Sequence, residues 1–106
     1  MNERERRARL TVAPGQIRLV IDSDAKNEID DQYAIAWALR SPERFRVEAV
    51  YAAPFSHNYF RRNVGVPEGD VWEDPAWGMR QSYDEILRLY SLLDQDPAGH
   101  VFHGAE

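Results

Sequence analysis

Apolar and polar positions alternate between two periods along this chain, and the changes of period mark its elements. Ile17-Arg18-Leu19-Val20-Ile21 is a nearly continuous apolar run that stops at Asp22. Such a run suits a strand buried on both faces of a parallel sheet, with Arg18 the one discordant residue, marking an edge or a snorkelling side chain. From about Glu28 to Arg40 the period lengthens to that of a helix. Ile29, Tyr33 and Trp37 recur every fourth residue, with the Arg40 stem continuing the line, and they are expected to face the core. Ala34, Ala36, Ala38 and Leu39 favour helix, and Ser41-Pro42 ends it, because a residue before proline avoids the α region. Phe45 to Ala52 reads as a second strand, which completes a βαβ unit. A helix is expected over Gln81–Leu93, where Tyr83, Ile86, Leu87, Tyr90 and Leu93 recur at three and four and Ser82 with Glu85 matches a capping box. Asp94 to Gly99 is a turn, and Val101-Phe102 opens a third strand. The resulting class is α/β, a βαβαβ arrangement on a parallel sheet.

Two stretches lack either period. Residues 1–16 are rich in charge and end in Pro14-Gly15, the pattern of a flexible, solvated leader. Ala53 to Arg80 carries Pro54, Pro67, Pro75, Gly65, Gly69 and Gly78, together with Tyr59, Phe60, Trp72 and Trp77. It is long for a strand-to-helix connection and is expected to be the least ordered internal segment. It leaves the carboxyl end of the second strand, where its aromatics either stack on a ligand or anchor the loop to the domain.

Composition narrows the function. The chain has 106 residues and a formal net charge of −5, with acids and bases mixed, so it has no nucleic-acid footprint. It has no cysteine, which removes disulfides and thiolate metal sites. No apolar run approaches the ~18 residues of a membrane helix, and MNERERRARL is no secretory signal, so the expected location is cytoplasmic.

The chemistry concentrates at the end of the first strand. Asp22, Asp24, Glu28, Asp30 and Asp31 are five acids within ten residues, with only Lys26 to offset them. Ligands of open parallel sheets sit beyond the carboxyl ends of the strands. Carboxylates clustered there repel one another unless protons or a cation intervene, and all-oxygen donors select a hard cation. The competing reading is helix capping by Asn27 or Asp30, with the acids complementing the helix dipole. His57, His100 and His103 have no metal-ligand spacing.

The stretch DSDAKNEIDDQYAIAWAL resembles the aspartate motif of the inosine-uridine preferring nucleoside hydrolases, Asp-x-Asp-Pro-Gly-x-Asp-Asp-Ala. Asp22, Asp24, Asp30 and Asp31 match its four aspartates. Ala25-Lys26-Asn27-Glu28-Ile29 makes the turn two residues longer, as in a divergent branch of that family. SPERFRVEAVYAA, the segment from Gly78 to Ile86 and the Gly-Ala that follows Val101-Phe102-His103 are further similarities. The resemblance implies that residues 17–106 are the N-terminal part of a nucleoside-hydrolase-like domain. It implies calcium-dependent hydrolysis of the N-glycosidic bond of ribonucleosides or a related ribosyl compound, in nucleoside salvage. Carried over by position, Asp24 is general base and calcium ligand, Asp31 a calcium ligand, Asp30 a contact for a ribose hydroxyl and Asp22 a structural brace. Asn27 is a further candidate for the sugar; after the second strand the family presents a Gly-Asn pair near the ribose, where this chain has Ala53 to Asn58 instead, with Asn58 the candidate for that contact. The implied partner is a small-molecule nucleoside, and a homo-oligomer stays open. Calcium takes six to eight oxygens, and the family's later ligands and leaving-group acid have no counterpart in these residues, so activity is expected to be incomplete. The alternatives are a catalytically inactive α/β binding module and, behind it, a haloacid dehalogenase-type phosphatase. The latter also places Asp-x-Asp after a strand but does not expect Ala25-Lys26 next.

Overall fold

The computed structural model describes residues 1–56 and 75–105. Helix α1 spans Glu3–Leu10, strand β1 Ile17–Ser23, helix α2 Asp30–Leu39, strand β2 Phe45–Ala52, helix α3 Pro75–Leu92 and strand β3 Val101–His103. The strands form one parallel sheet in the order β1-β2-β3, with β2 central. The expected α/β class and its βαβαβ order are those of the protein.

The leader carries more structure than its composition predicts. Asn2 accepts from the Glu5 amide and donates its own amide to the Glu5 carboxylate, a reciprocal cap that starts α1. Glu3 reaches Arg7 one turn on. No residue of α1 is buried, so local capping and charge pairing support this helix without help from the core.

Both α2 and α3 pack on one face of the sheet. Ile35 from α2 and Met79, Ile86, Leu89 and Tyr90 from α3 close over Val50, Ala52 and Val101 in a single cluster. Ile21, Leu39, Val47, Tyr83 and Leu87 border it. The opposite face is open, and this corrects the reading of β1. Arg18, Val20 and Asp22 are exposed and alternate with half-buried Ile17, Leu19 and Ile21. Val20 retains 61% of its surface. An edge strand covered on one side alternates, and Val20 hid that alternation by being apolar on the polar side. Arg18 does mark an edge. It pairs with Glu48 at 2.8 Å, and Glu48 is the extra residue of a bulge opposite Leu19 and Val20.

The stripe assigned to the core of α2 is also corrected. Ile29, Tyr33 and Trp37 are exposed at 69, 71 and 69%, while Ile35 and Ala38 are buried. An alanine-rich helix with apolar residues on most of its circumference has two faces of acceptable period, and the sheet takes the one with Ile35. Trp37 keeps only an edge contact with the Phe45 ring, with centroids 6.2 Å apart.

Helix α3 begins at Pro75, six residues before the expected start, so the end of the stretch expected to be irregular is helical, while its residues 57–74 lie outside the described residues. Proline is well tolerated in a first helical turn, where its missing N–H has no partner to lose. Ser82 and Glu85 therefore lie inside the helix and are buried, and they do not cap it. Met79 is fully buried and stands at helical spacing ahead of Tyr83 and Ile86, the signal that extends the helix towards its true start.

Candidate functional site

The site is built where β1 ends and α2 begins. Ser23, the last residue of β1, is buried, and its Oγ donates to Asp31 Oδ2 at 2.6 Å. This bond ties the first turn of α2 to the end of the strand. Between them the chain makes a tight turn in which the Asn27 amide donates to the Asp24 carbonyl at 2.7 Å. The Asn27 side chain donates to Asp24 Oδ2 at 2.9 Å. Asp24, Asn27 and Asp31 are all half-buried. Ala25, between them, is fully buried in the core cluster, which pins the lengthened turn to the body of the domain.

Side-chain capping does not account for Asn27, while Asp30 and Asp31 do lie in the first turn of α2, where acids complement the helix dipole. The N-cap of α2 is Ile29, which has no side chain able to cap, and neither Asn27 nor Asp30 occupies that position. Asn27 braces Asp24 instead.

The remaining candidates are dispersed. Asp22 is exposed on the open face of the sheet, where its register partner is Tyr51. Asp30 is exposed, and successive helical residues are turned by about 100°, so it looks away from Asp31 and Ser23. Glu28 is exposed. Asn58 and His57 lie outside the described residues. His103 contacts the Tyr83 ring edge-on, and His100 Nδ1 lies 3.2 Å from the Glu48 carbonyl, so both take part in packing.

An ion cluster around one buried carboxylate, which the sequence did not announce, flanks the turn. Glu85 is 5% exposed. Its carboxylate accepts from Arg88 at 2.5 and 3.0 Å, from Gln32 at 3.3 Å and from Lys26 at 3.5 Å. Lys26 thus leaves the acidic turn and joins it to α3. The only sequence signal for this is the Glu85–Arg88 spacing, which places both on adjacent turns of one helix. Arg88 first, then Gln32 and Lys26, hold the Glu85 carboxyl down to about 2, against an ordinary value of 4.5, while burial opposes them.

Because the folded value lies below the unfolded one, Glu85 stabilises the fold above about pH 4.5 and stops doing so as the pH falls from there towards 2. With Lys26 and Arg88 half-exposed, the contribution is on the order of 2 kcal/mol. Urea unfolding at stepped pH is expected to show that loss in the wild type and a flatter profile over the same window for Glu85→Gln. Parallel profiles would mean that the cluster does not govern acid stability.

Calcium requires more donors than this turn provides. Asp24, Asp31 and the Ser23 hydroxyl are hard oxygens of the right kind. Among the described residues, however, no three Asp, Glu or His side chains are grouped to hold one metal ion. What they do make is two separately braced carboxylates, Asp24 and Asp31, where the first strand of a parallel sheet gives way to the next helix. One carboxylate is oriented by Asn27 and the other by Ser23, and Lys26 and Arg88 stand alongside on Glu85. No helix among the described residues is long and apolar enough to cross a membrane. The chain matches no family model, no curated protein and no solved structure.

Proposed function

We propose that the turn at the end of β1 is the sugar-facing part of an N-glycosidase for ribonucleosides or a related ribosyl compound, with Asp24 as general base. The observation that carries this reading is the bracing of Asp24 and Asp31 by Asn27 and Ser23 at the carboxyl edge of the sheet. Cleaving an N-glycosidic bond builds positive charge on the sugar, and fixed carboxylates stabilise it without reorganising. Asp24 keeps Oδ1 to accept a proton from water while Asn27 holds Oδ2. Asp31, which Ser23 ties to the end of the same strand, would favour the developing cation. The reading has calcium as its cofactor, with Asp24 and Asp31 contributing to a shell that these residues only begin. The hydroxyl-binding role of Asp30 would require a substrate that reaches around to the outer side of α2.

A second reading is a non-catalytic module that binds a sugar-like ligand through the same braced polar side chains. Calorimetric titration with ribose, with and without calcium, paired with an assay for ribose released from nucleosides, separates the two. Heat on ribose addition together with release of ribose supports the hydrolase. Heat without release supports the binding module. No heat with millimolar ribose, with calcium present or absent, rejects both.

A further inference from the structure

The outward side of α2 is apolar in the middle and oppositely charged at its two ends. Tyr33, Ala34 and Trp37 are exposed along it, with Ile29 at its start. At about 100° per residue, Asp30 and Arg40 fall on the same side as Tyr33 and Trp37. Both are exposed. Tyr33 and Trp37 lie equally far to either side of Ile35 along the helix, and so do Asp30 and Arg40. An antiparallel copy of the same face, rotated about a two-fold axis opposite Ile35, therefore meets itself in register. Tyr33 of one copy packs on Trp37 of the other, Ala34 lets the helices approach, and each Asp30 meets an Arg40.

We propose that the exposed face of α2 is a self-complementary docking surface for a second copy of this chain, through an antiparallel α2–α2 contact. The charges select this occupant. A parallel arrangement would set Asp30 against Asp30 and Arg40 against Arg40, whereas the two-fold antiparallel one neutralises both ends. Large aromatic side chains at the centre, with charges at the rim, are also the usual anatomy of a protein interface. Rows of residues spaced by four, such as Ile29, Tyr33 and Trp37, form the ridges through which helices most often pack. The proposal does not depend on the chemistry assigned to the turn at the end of β1.

Sedimentation velocity and light scattering on the 106-residue chain, from about 1 µM to about 1 mM, test it across the range of weak homodimer affinities. A concentration-dependent dimer is expected. Trp37→Glu should weaken it at least about a hundredfold by placing a charge at the centre of each copy's patch. Asp30→Arg and Arg40→Asp should each weaken the dimer about fivefold or more, since each substitution disrupts two symmetry-related pairs. The two combined should restore it, because exchanged charges still meet their opposites. Thermal unfolding of each variant controls for loss of the Trp37–Phe45 contact and of the acidic first turn of α2. A chain that is monomeric throughout this range overturns the proposal. So does a dimer indifferent to Trp37→Glu in a folded variant, or a charge exchange that fails to recover what the single substitutions lost. A dimer abolished by Phe102→Glu and untouched by Trp37→Glu would place the contact on the open sheet face and overturn it as well.

Discussion

Gly78→Ala is expected to destabilise the protein by about 1–3 kcal/mol and to lower its melting temperature by roughly 5–15 °C. In an exposed helix the same change would add about 1 kcal/mol of stability, because alanine is the better helix former. Gly78 is buried in the first turns of α3, against the chain that leaves β2. A methyl group there would overlap the backbone carbonyl of Phe55. A side chain could rotate aside, but a backbone carbonyl moves only if the segment carrying it moves. Phe55 is itself buried and meets the Trp77 ring edge-on at 6.3 Å. Either that pairing or the seat of α3 on the sheet must give. Differential scanning fluorimetry of the purified variant reads the shift directly. A melting temperature equal to or above wild type would mean that residues 53–56 do not lie against α3.

Asp24→Asn carries the largest expected functional effect. On the proposed hydrolase reading, replacing Asp24 with an amide of the same shape removes the proton acceptor, and ribose release from a cleaved nucleoside should fall about 10²- to 10⁴-fold. The fold should be retained. The carboxylate makes one side-chain hydrogen bond, to Asn27, and an asparagine side chain can still accept it through its carbonyl oxygen. Turnover and thermal unfolding measured on one preparation keep the two effects apart. Near-normal turnover would remove Asp24 from the base role. Lost turnover with a collapsed melting temperature would make the substitution structural. Asn27→Ala serves as the companion variant. It leaves the carboxylate in place and removes only its brace, so it should retain more turnover than Asp24→Asn.

Several parts of this protein were legible because they depend only on local periodicity and turn chemistry. The strands at Ile17 and Phe45 follow from apolar runs between breaks, and α2 follows from its alanines and from the stop at Ser41-Pro42. The carboxyl-edge position of Asp24 and Asp31 follows from the order strand, acidic turn, helix. The bracing pairs were not legible, although they are close in sequence. That Asn27 serves Asp24, and does not cap α2, depends on where the turn is held, and Ala25 settles that by burying in a core drawn from all three strands and two helices.

Tertiary structure alone decided which faces are inside. Ile29, Tyr33 and Trp37 satisfy a helical period as well as the buried Ile35 and Ala38 and the half-buried Leu39 do, and a one-dimensional pattern cannot rank two apolar faces of one helix. With both helices on a single side of the sheet, the face of α2 carrying Ile35 closes over β2 and the tryptophan face is left outside. The same asymmetry exposes Val20, Tyr51 and Phe102 on the open side of the strands. It also brings Lys26 and Gln32 to Glu85, across 59 and 53 positions of sequence. Chain connectivity carries no record of such a meeting, because it exists only once α2 and α3 share one face of the sheet.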